Sequence, residues 1–177
     1  MAVPAIQQIS YCYDSYELRE MYANLLASSM NTDKKWTVHP SFVDIIKQIT
    51  PDEAKILRIL PRSANLYEPL IDLQIKLGNG KGKRTLCRNY TNEFDAICDS
   101  PQNVSQYLEN IERLKLINIP DDRHLMEDAF YQPLENSPVL QAMKTGSLGD
   151  GEEYEYARKV LYVTNYGLAF ISCCIDG

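Results

Sequence analysis

Two strings constrain how helix and strand can meet in this chain. In Glu109–Ile119, ENIERLKLINI, a helical stripe containing Ile111 and Leu114 passes directly into the strand-like run Leu116–Ile119, which Pro120 stops. In Lys159–Ile171, KVLYVTNYGLAFI, the apolar run Val160–Val163 passes directly into a helix that Thr164 can cap. A chain with both junctions mixes helix and strand within one fold.

The remaining segments read mostly as helices. The first follows Asp14 or Ser15, with Glu17 three residues after Asp14 as a capping box requires, and carries Leu18, Met21, Tyr22, Leu25, Leu26 and Ser29 at helical spacing. A polar connector, Asn31–Lys35, leads through Trp36 to a second helix, where Pro40 suits the first position and Phe42, Val43, Ile45, Ile46 and Ile49 give a buried face. Thr50, Pro51 and Glu53 supply cap, N1 and N3 of a third helix that ends at Pro61. Alternation before Leu77 predicts a short strand after Pro69, followed by the glycine-broken basic loop GNGKGKR and a short helix over Asn92–Cys98. Pro101 opens a helix with Val104, Tyr107, Leu108, Ile111 and Leu114 on its apolar stripe. Residues 121–144 read as helical pieces interrupted at Pro133 and Pro138, and Thr145–Glu155 as a flexible acidic loop.

Composition excludes several classes. The chain has 177 residues, 45% of them hydrophobic, enough to bury roughly 70% of its unfolded surface in one core or two small ones. It has no run of about 18 apolar residues and no signal-peptide pattern at its start, so it reads as neither membrane-spanning nor secreted. With 18 Lys+Arg against 24 Asp+Glu its net charge of -6 repels phosphate backbones overall. The five cysteines, Cys12, Cys87, Cys98, Cys173 and Cys174, form no C-x-x-C pair and read as free thiols of a cytoplasmic protein.

From residue 50 onward the predicted order is helix, strand, short helix, longer helix, strand, excursion, strand, helix. That order, with the two junction strings, resembles winged helix-turn-helix regulators. A resemblance covering nearly the whole chain is carried by ELREMYANLLASSMN, VHPSFVDIIKQITPDEAKIL, YLENIERLKLINI and YVTNYGLAFISCCI, which look like the Abi-alpha (abortive infection) family of bacterial proteins. The resemblance implies a cytoplasmic protein linked to phage resistance, without established biochemical activity and without catalytic residues to carry over. Family members often have a further N-terminal region, which is expected to be absent here.

No catalytic constellation emerges. The loop Gly78–Arg84 lacks the second glycine of a P-loop, because Lys83 stands five residues after Gly78. The string PDEAK, Pro51–Lys55, has nuclease-like parts, but they are contiguous on a helix start, where capping explains each. His39 reads as a cap or packing residue and His124 as exposed; neither has metal-ligand spacing. Cys173 and Cys174 sit in an apolar run and read as core. On the longer helix Gln102, Asn103, Ser105, Gln106, Glu109, Glu112 and Arg113 face outward, and the acidic loop carries Asp150, Glu152, Glu153 and Glu155. Only Lys76, Lys81, Lys83, Arg84 and Arg88 form a positive patch for an anion or nucleic acid.

The expected fold is α+β and mostly helical, with N-terminal helices packed on an expanded winged-helix-like unit that has a small β-sheet. Its divisions are a helical segment over 1–49 and a winged-helix-like domain over 50–177 with an insertion at about 121–157, or the two as one compact unit. The expected function is a non-enzymatic protein-interaction module in phage defence, without cofactor or metal, bound to an unidentified protein or to itself. A DNA- or RNA-binding regulator using the basic loop 76–88 is the alternative, and an enzyme with an unrecognised site comes third.

Overall fold

Ser15 opens the first helix, α1 (Tyr16–Met30), by accepting the Leu18 amide on its hydroxyl at 3.3 Å. The structure, a computed structural model, describes residues 15–177 apart from Thr145, Ser147 and the Asn79 side chain; the alternative cap Asp14 and the Cys12 thiol lie outside the described residues. Met21, Tyr22, Leu25 and Ser28 form the buried face of α1. The second helix, α2 (Phe42–Ile46), is shorter than its apolar pattern predicts and starts two residues after Pro40, which sits in the preceding turn.

The third helix, α3 (Pro51–Ile59), begins as its sequence predicts. Thr50 Oγ1 accepts the Glu53 amide at 3.2 Å, and Glu53 Oε2 accepts the Thr50 amide at 2.5 Å, so both orphan donors of the first turn are satisfied.

Four strands form one antiparallel array: β1 (Glu68–Lys76), β2 (Lys83–Tyr90), β3 (Ile117–Asn118) and β4 (Glu153–Val163), in the order β2-β1-β4-β3. β1 and β4 pair without a break from Glu68↔Leu161 to Lys76↔Glu153. Pro69 is tolerated inside β1 because β2 reaches only as far as Ile71, so no ladder bond is demanded of it from that side. The sheet is larger than expected. β2 occupies residues read as basic loop and its end, and β4 starts at Glu153 rather than Val160.

Helix α4 (Val104–Arg113) meets β3 through a left-handed residue, Lys115 at φ 64°. The Leu116 amide reaches back to the Ile111 carbonyl at 3.2 Å, a Schellman-type closure that turns helix into strand within three residues. After a turn of 3-10 helix at Asp128–Phe130 come α5 (Gln132–Glu135) and α6 (Pro138–Met143). Pro133 and Pro138 lie in the first turns of these helices, where the missing N–H costs nothing, instead of interrupting one. Asn92–Cys98, expected as a short helix, is a run of turns. The final helix, α7 (Asn165–Cys174), is capped by Thr164, whose Oγ1 accepts the Gly167 amide at 2.9 Å.

The two sheet faces are buried differently. One joins the main core: Leu70, Leu161 and Val163 pack with Tyr22, Phe42, Leu57, Leu108 and Phe170 from the helices. The other carries Ile71 and Leu73, which are covered by Tyr131, Leu134 and Leu140 of the 121–144 excursion. Tyr131 anchors that cover, donating its hydroxyl to the Lys159 carbonyl at 2.9 Å and accepting the Leu125 amide at 2.9 Å. Helices and strands thus share the chain in a mixed α+β arrangement of seven α-helices and a four-stranded sheet among the described residues.

Candidate interaction surface

The five cations of the predicted basic patch separate into two groups once the strands are in register. Lys76 pairs directly across β1 and β4 with Glu153, Nζ to Oε1 at 2.8 Å, and Lys83 reaches Glu155 at 2.9 Å. The Lys76–Glu153 hydrogen bond raises the lysine pKa and lowers that of the carboxyl. Segments that read as a basic loop and a separate acidic loop are therefore strands of one sheet, and two of the cations are neutralised by the acids of β4, Lys76 from the adjacent β1 and Lys83 from β2 across it. Lys81, Arg84 and Arg88 remain exposed, with no ion pair among the described residues.

Helix α4 offers little to nucleic acid. Its exposed positions are Gln106, Glu109 and Arg113, one acid against one base, with Gln102 exposed in the turn before it. Arg113 is spent internally, donating to Asn110 Oδ1 at 2.7 Å and to Gln48 Oε1 at 3.2 Å. Glu112 accepts the Ile119 amide at 2.7 Å and so holds β3, a structural duty its outward placement in sequence did not reveal.

The PDEAK carboxylates are structural. Asp52 is buried and accepts the amides of Asp99 at 2.9 Å and Ser100 at 3.0 Å, the Tyr107 hydroxyl at 3.2 Å and Lys55 Nζ at 3.1 Å. Burial works to raise its pKa, but the two amides and Lys55 outweigh that and hold it below the ordinary value. Lys55, bonded first to Asp99 and then to Asp52, is pushed up to about 12. Glu53 accepts Asn110 Nδ2 at 2.8 Å in addition to its capping bond. Nothing in the string PDEAK distinguished Asp52 as the residue that ties α3 to the start of α4, because its partners are backbone groups 47 and 48 residues away.

His39 Nδ1 lies 2.6 Å from Ser41 Oγ and accepts the Ser41 amide at 3.2 Å, while Ser41 also hydrogen-bonds the Tyr166 hydroxyl. Its ring packs among Phe42 and Tyr166 at centroid separations of 6.0 and 5.8 Å. The histidine thus caps the turn into α2. His124 is exposed. Cys98, Cys173 and Cys174 are buried and Cys87 half-buried, all four as free thiols. Burial pushes the Cys98 thiol up to about 11 and that of Cys174 upward, which disfavours the reactive thiolate. No group of three His, Cys, Asp or Glu among the described residues could hold a metal.

Two features of this surface were not legible beforehand. Among the described residues the outer edge of β2 has no strand partner. At its far end lies a cavity of about 260 Å³ between β2, the start of α4 and α6, lined by Cys87, Tyr90, Val104, Val139 and Met143 among others. A second cavity, of about 380 Å³, is lined by Tyr67, His124, Met126 and Val160 among others. The β-prone Thr85, Leu86 and Tyr90 were the available signal for β2, masked by the basic residues between them. No helix among the described residues is long and apolar enough to cross a membrane.

These features define a mixed α+β protein with an open basic strand edge. Residues 1–174 match the family described as abortive infection alpha, and the chain belongs to that family, as the four strings indicated. A solved structure of an uncharacterized protein from the hydrocarbon-degrading marine bacterium Alcanivorax borkumensis SK2 is similar over 81% of this chain and 97% of that one, at 14% identity and a TM-score of 0.49. No curated protein matches the chain.

Proposed function

We propose that this chain is a cytoplasmic component of phage defence by abortive infection that acts by binding another protein and catalyses no reaction. Membership of the abortive infection alpha family supports the biological role. The observation that carries the protein-binding reading is the cancellation of the basic patch: Lys76 and Lys83 are consumed by Glu153 and Glu155, beside a helix α4 that carries two acids, Glu109 and Glu112, against the one base Arg113. Within this patch a nucleic-acid regulator would have Lys81, Arg84 and Arg88 to draw on, fewer phosphate contacts than the roughly six to ten of strongly salt-dependent DNA binders.

The part from α3 onward is read as an expanded winged-helix unit. In support, β1 and β3 flank β4 as the three strands of such a unit do, and α4 runs directly into β3. Here α4 and the sheet would serve protein contact. The test of the whole reading is phage plating on cells expressing the chain. Reduced plaque formation by at least one phage in a panel is expected; plating equal to that on empty-vector cells, with folded protein accumulating, contradicts it.

A further inference from the structure

We infer that the free edge of β2 is a docking site for an extended, acidic segment of a partner protein, with one apolar side chain of that segment seated in the cavity between β2, α4 and α6. The inference rests on the protein-binding reading above and names the surface and chemistry it would use. β2 is hydrogen-bonded to β1 on one side, and among the described residues no backbone–backbone hydrogen bond outside that ladder involves its residues, while the Asn89 amide is taken by Asp72 Oδ1 at 2.7 Å. An exposed strand edge supplies a row of backbone donors and acceptors that an incoming strand can satisfy.

Charge decides which strand fits. Arg84 and Arg88 on β2, and Lys81 in the turn before it, are exposed and unpaired among the described residues, while the neighbouring Lys76 and Lys83 are already neutralised. A second copy of this chain, pairing β2 with β2, would bring the same cations together along one seam, and like charges opposed across strands are destabilising. A segment bearing glutamates or aspartates meets the cations instead, and does so in a chain whose overall charge is -6.

The cavity supplies the other half of the site. Its volume of about 260 Å³ falls below the roughly 300–1,000 Å³ of small-molecule pockets, so it suits a side chain better than a cofactor. Val139 and Met143 on its rim are exposed, as is Leu86 on the strand, so the apolar contact surface is open to a partner. In strand addition the backbone supplies affinity and such pockets supply specificity.

The test is fluorescence anisotropy of the full chain with a fluorescein-labelled peptide in which glutamates alternate with threonines around one central leucine, alongside its lysine counterpart. The native chain should bind the glutamate peptide saturably and the lysine peptide at least about tenfold more weakly. Arg84→Glu with Arg88→Glu should weaken the glutamate peptide by about tenfold, roughly 1.4 kcal/mol, and reverse the preference; circular dichroism confirms that these exposed substitutions leave the fold intact. Val139→Asp, at the cavity rim, should weaken binding without touching the arginines. Equal binding of the two peptides, no saturable binding, or indifference to the charge reversal overturns the inference. Displacement of the peptide by a DNA duplex more readily than by unlabelled peptide overturns it too, in favour of a phosphate-binding edge. Loss of peptide binding with phage protection retained removes this site alone, whereas absence of protection removes the reading on which it rests.

Discussion

A Cβ built on Gly167 would stand 1.9 Å from the carbonyl oxygen of Leu116, the residue where α4 gives way to β3. That carbonyl also accepts the Thr164 amide at 3.0 Å and the Thr164 hydroxyl at 3.2 Å, which donates to Lys115 O as well at 2.7 Å. The two junction strings therefore lock onto each other: the cap of α7 is also the clasp on the end of α4. Gly167→Ala must push helix from strand, and we expect a loss of about 3 kcal/mol, the upper part of the overpacking range, in urea denaturation. A change under about 0.5 kcal/mol, the usual scatter for surface substitutions, would contradict this contact.

Lys115 holds a left-handed conformation at φ 64° that costs an L-residue roughly 1–2 kcal/mol. Relief of that strain exceeds the entropy cost of a glycine, so Lys115→Gly should raise stability by up to about 1 kcal/mol. Thermal denaturation checks it, and a lower melting temperature would show that Lys115 is not strained.

Leu116 is fully buried, whereas Leu114 only lies against the core as the C-cap of α4. Leu116→Ala should cost about 2–5 kcal/mol as a core cavity, and Leu114→Ala clearly less. Equal denaturation midpoints would reject the placement of the helix end.

Asp52 gives a pH-dependent prediction. Its carboxyl has a lower pKa in the folded chain than in the unfolded one, so its contribution is complete above the unfolded value and fades as pH falls through the folded value. Asp52→Asn should cost about 1.5–3 kcal/mol near pH 7, the worth of hydrogen bonds to a charged group. By about pH 3, below the ordinary aspartate value, the gap between native and variant should narrow. A gap that stays constant between the two pH values would mean the carboxylate charge contributes nothing.

What could be read beforehand was local. Thr50 with Glu53, and Thr164, announced their helices because a cap acts on amides two or three residues away. The apolar stripe of α4 announced its buried face for the same reason. What could not be read depended on register between distant segments. Glu153 and Glu155 looked like a free acidic loop until β4 set them beside Lys76 and Lys83. Asp52 looked like one cap residue among several until the chain returned at Asp99 and Ser100. β2 was hidden because an edge strand facing solvent needs little apolar alternation, and Lys83, Arg84 and Arg88 gave it the composition of a loop.

The most direct test of the protein-binding account is titration of the full chain with a labelled DNA duplex at two salt concentrations. We expect no binding tighter than about 10 μM near physiological salt, far weaker than the roughly 10⁻⁸–10⁻¹¹ M of specific regulators. Sub-micromolar binding that falls with salt at a log–log slope of about -3, the value for three released counterions, and that disappears when Lys81, Arg84 and Arg88 are neutralised, would contradict the account and make the β2 edge a nucleic-acid site.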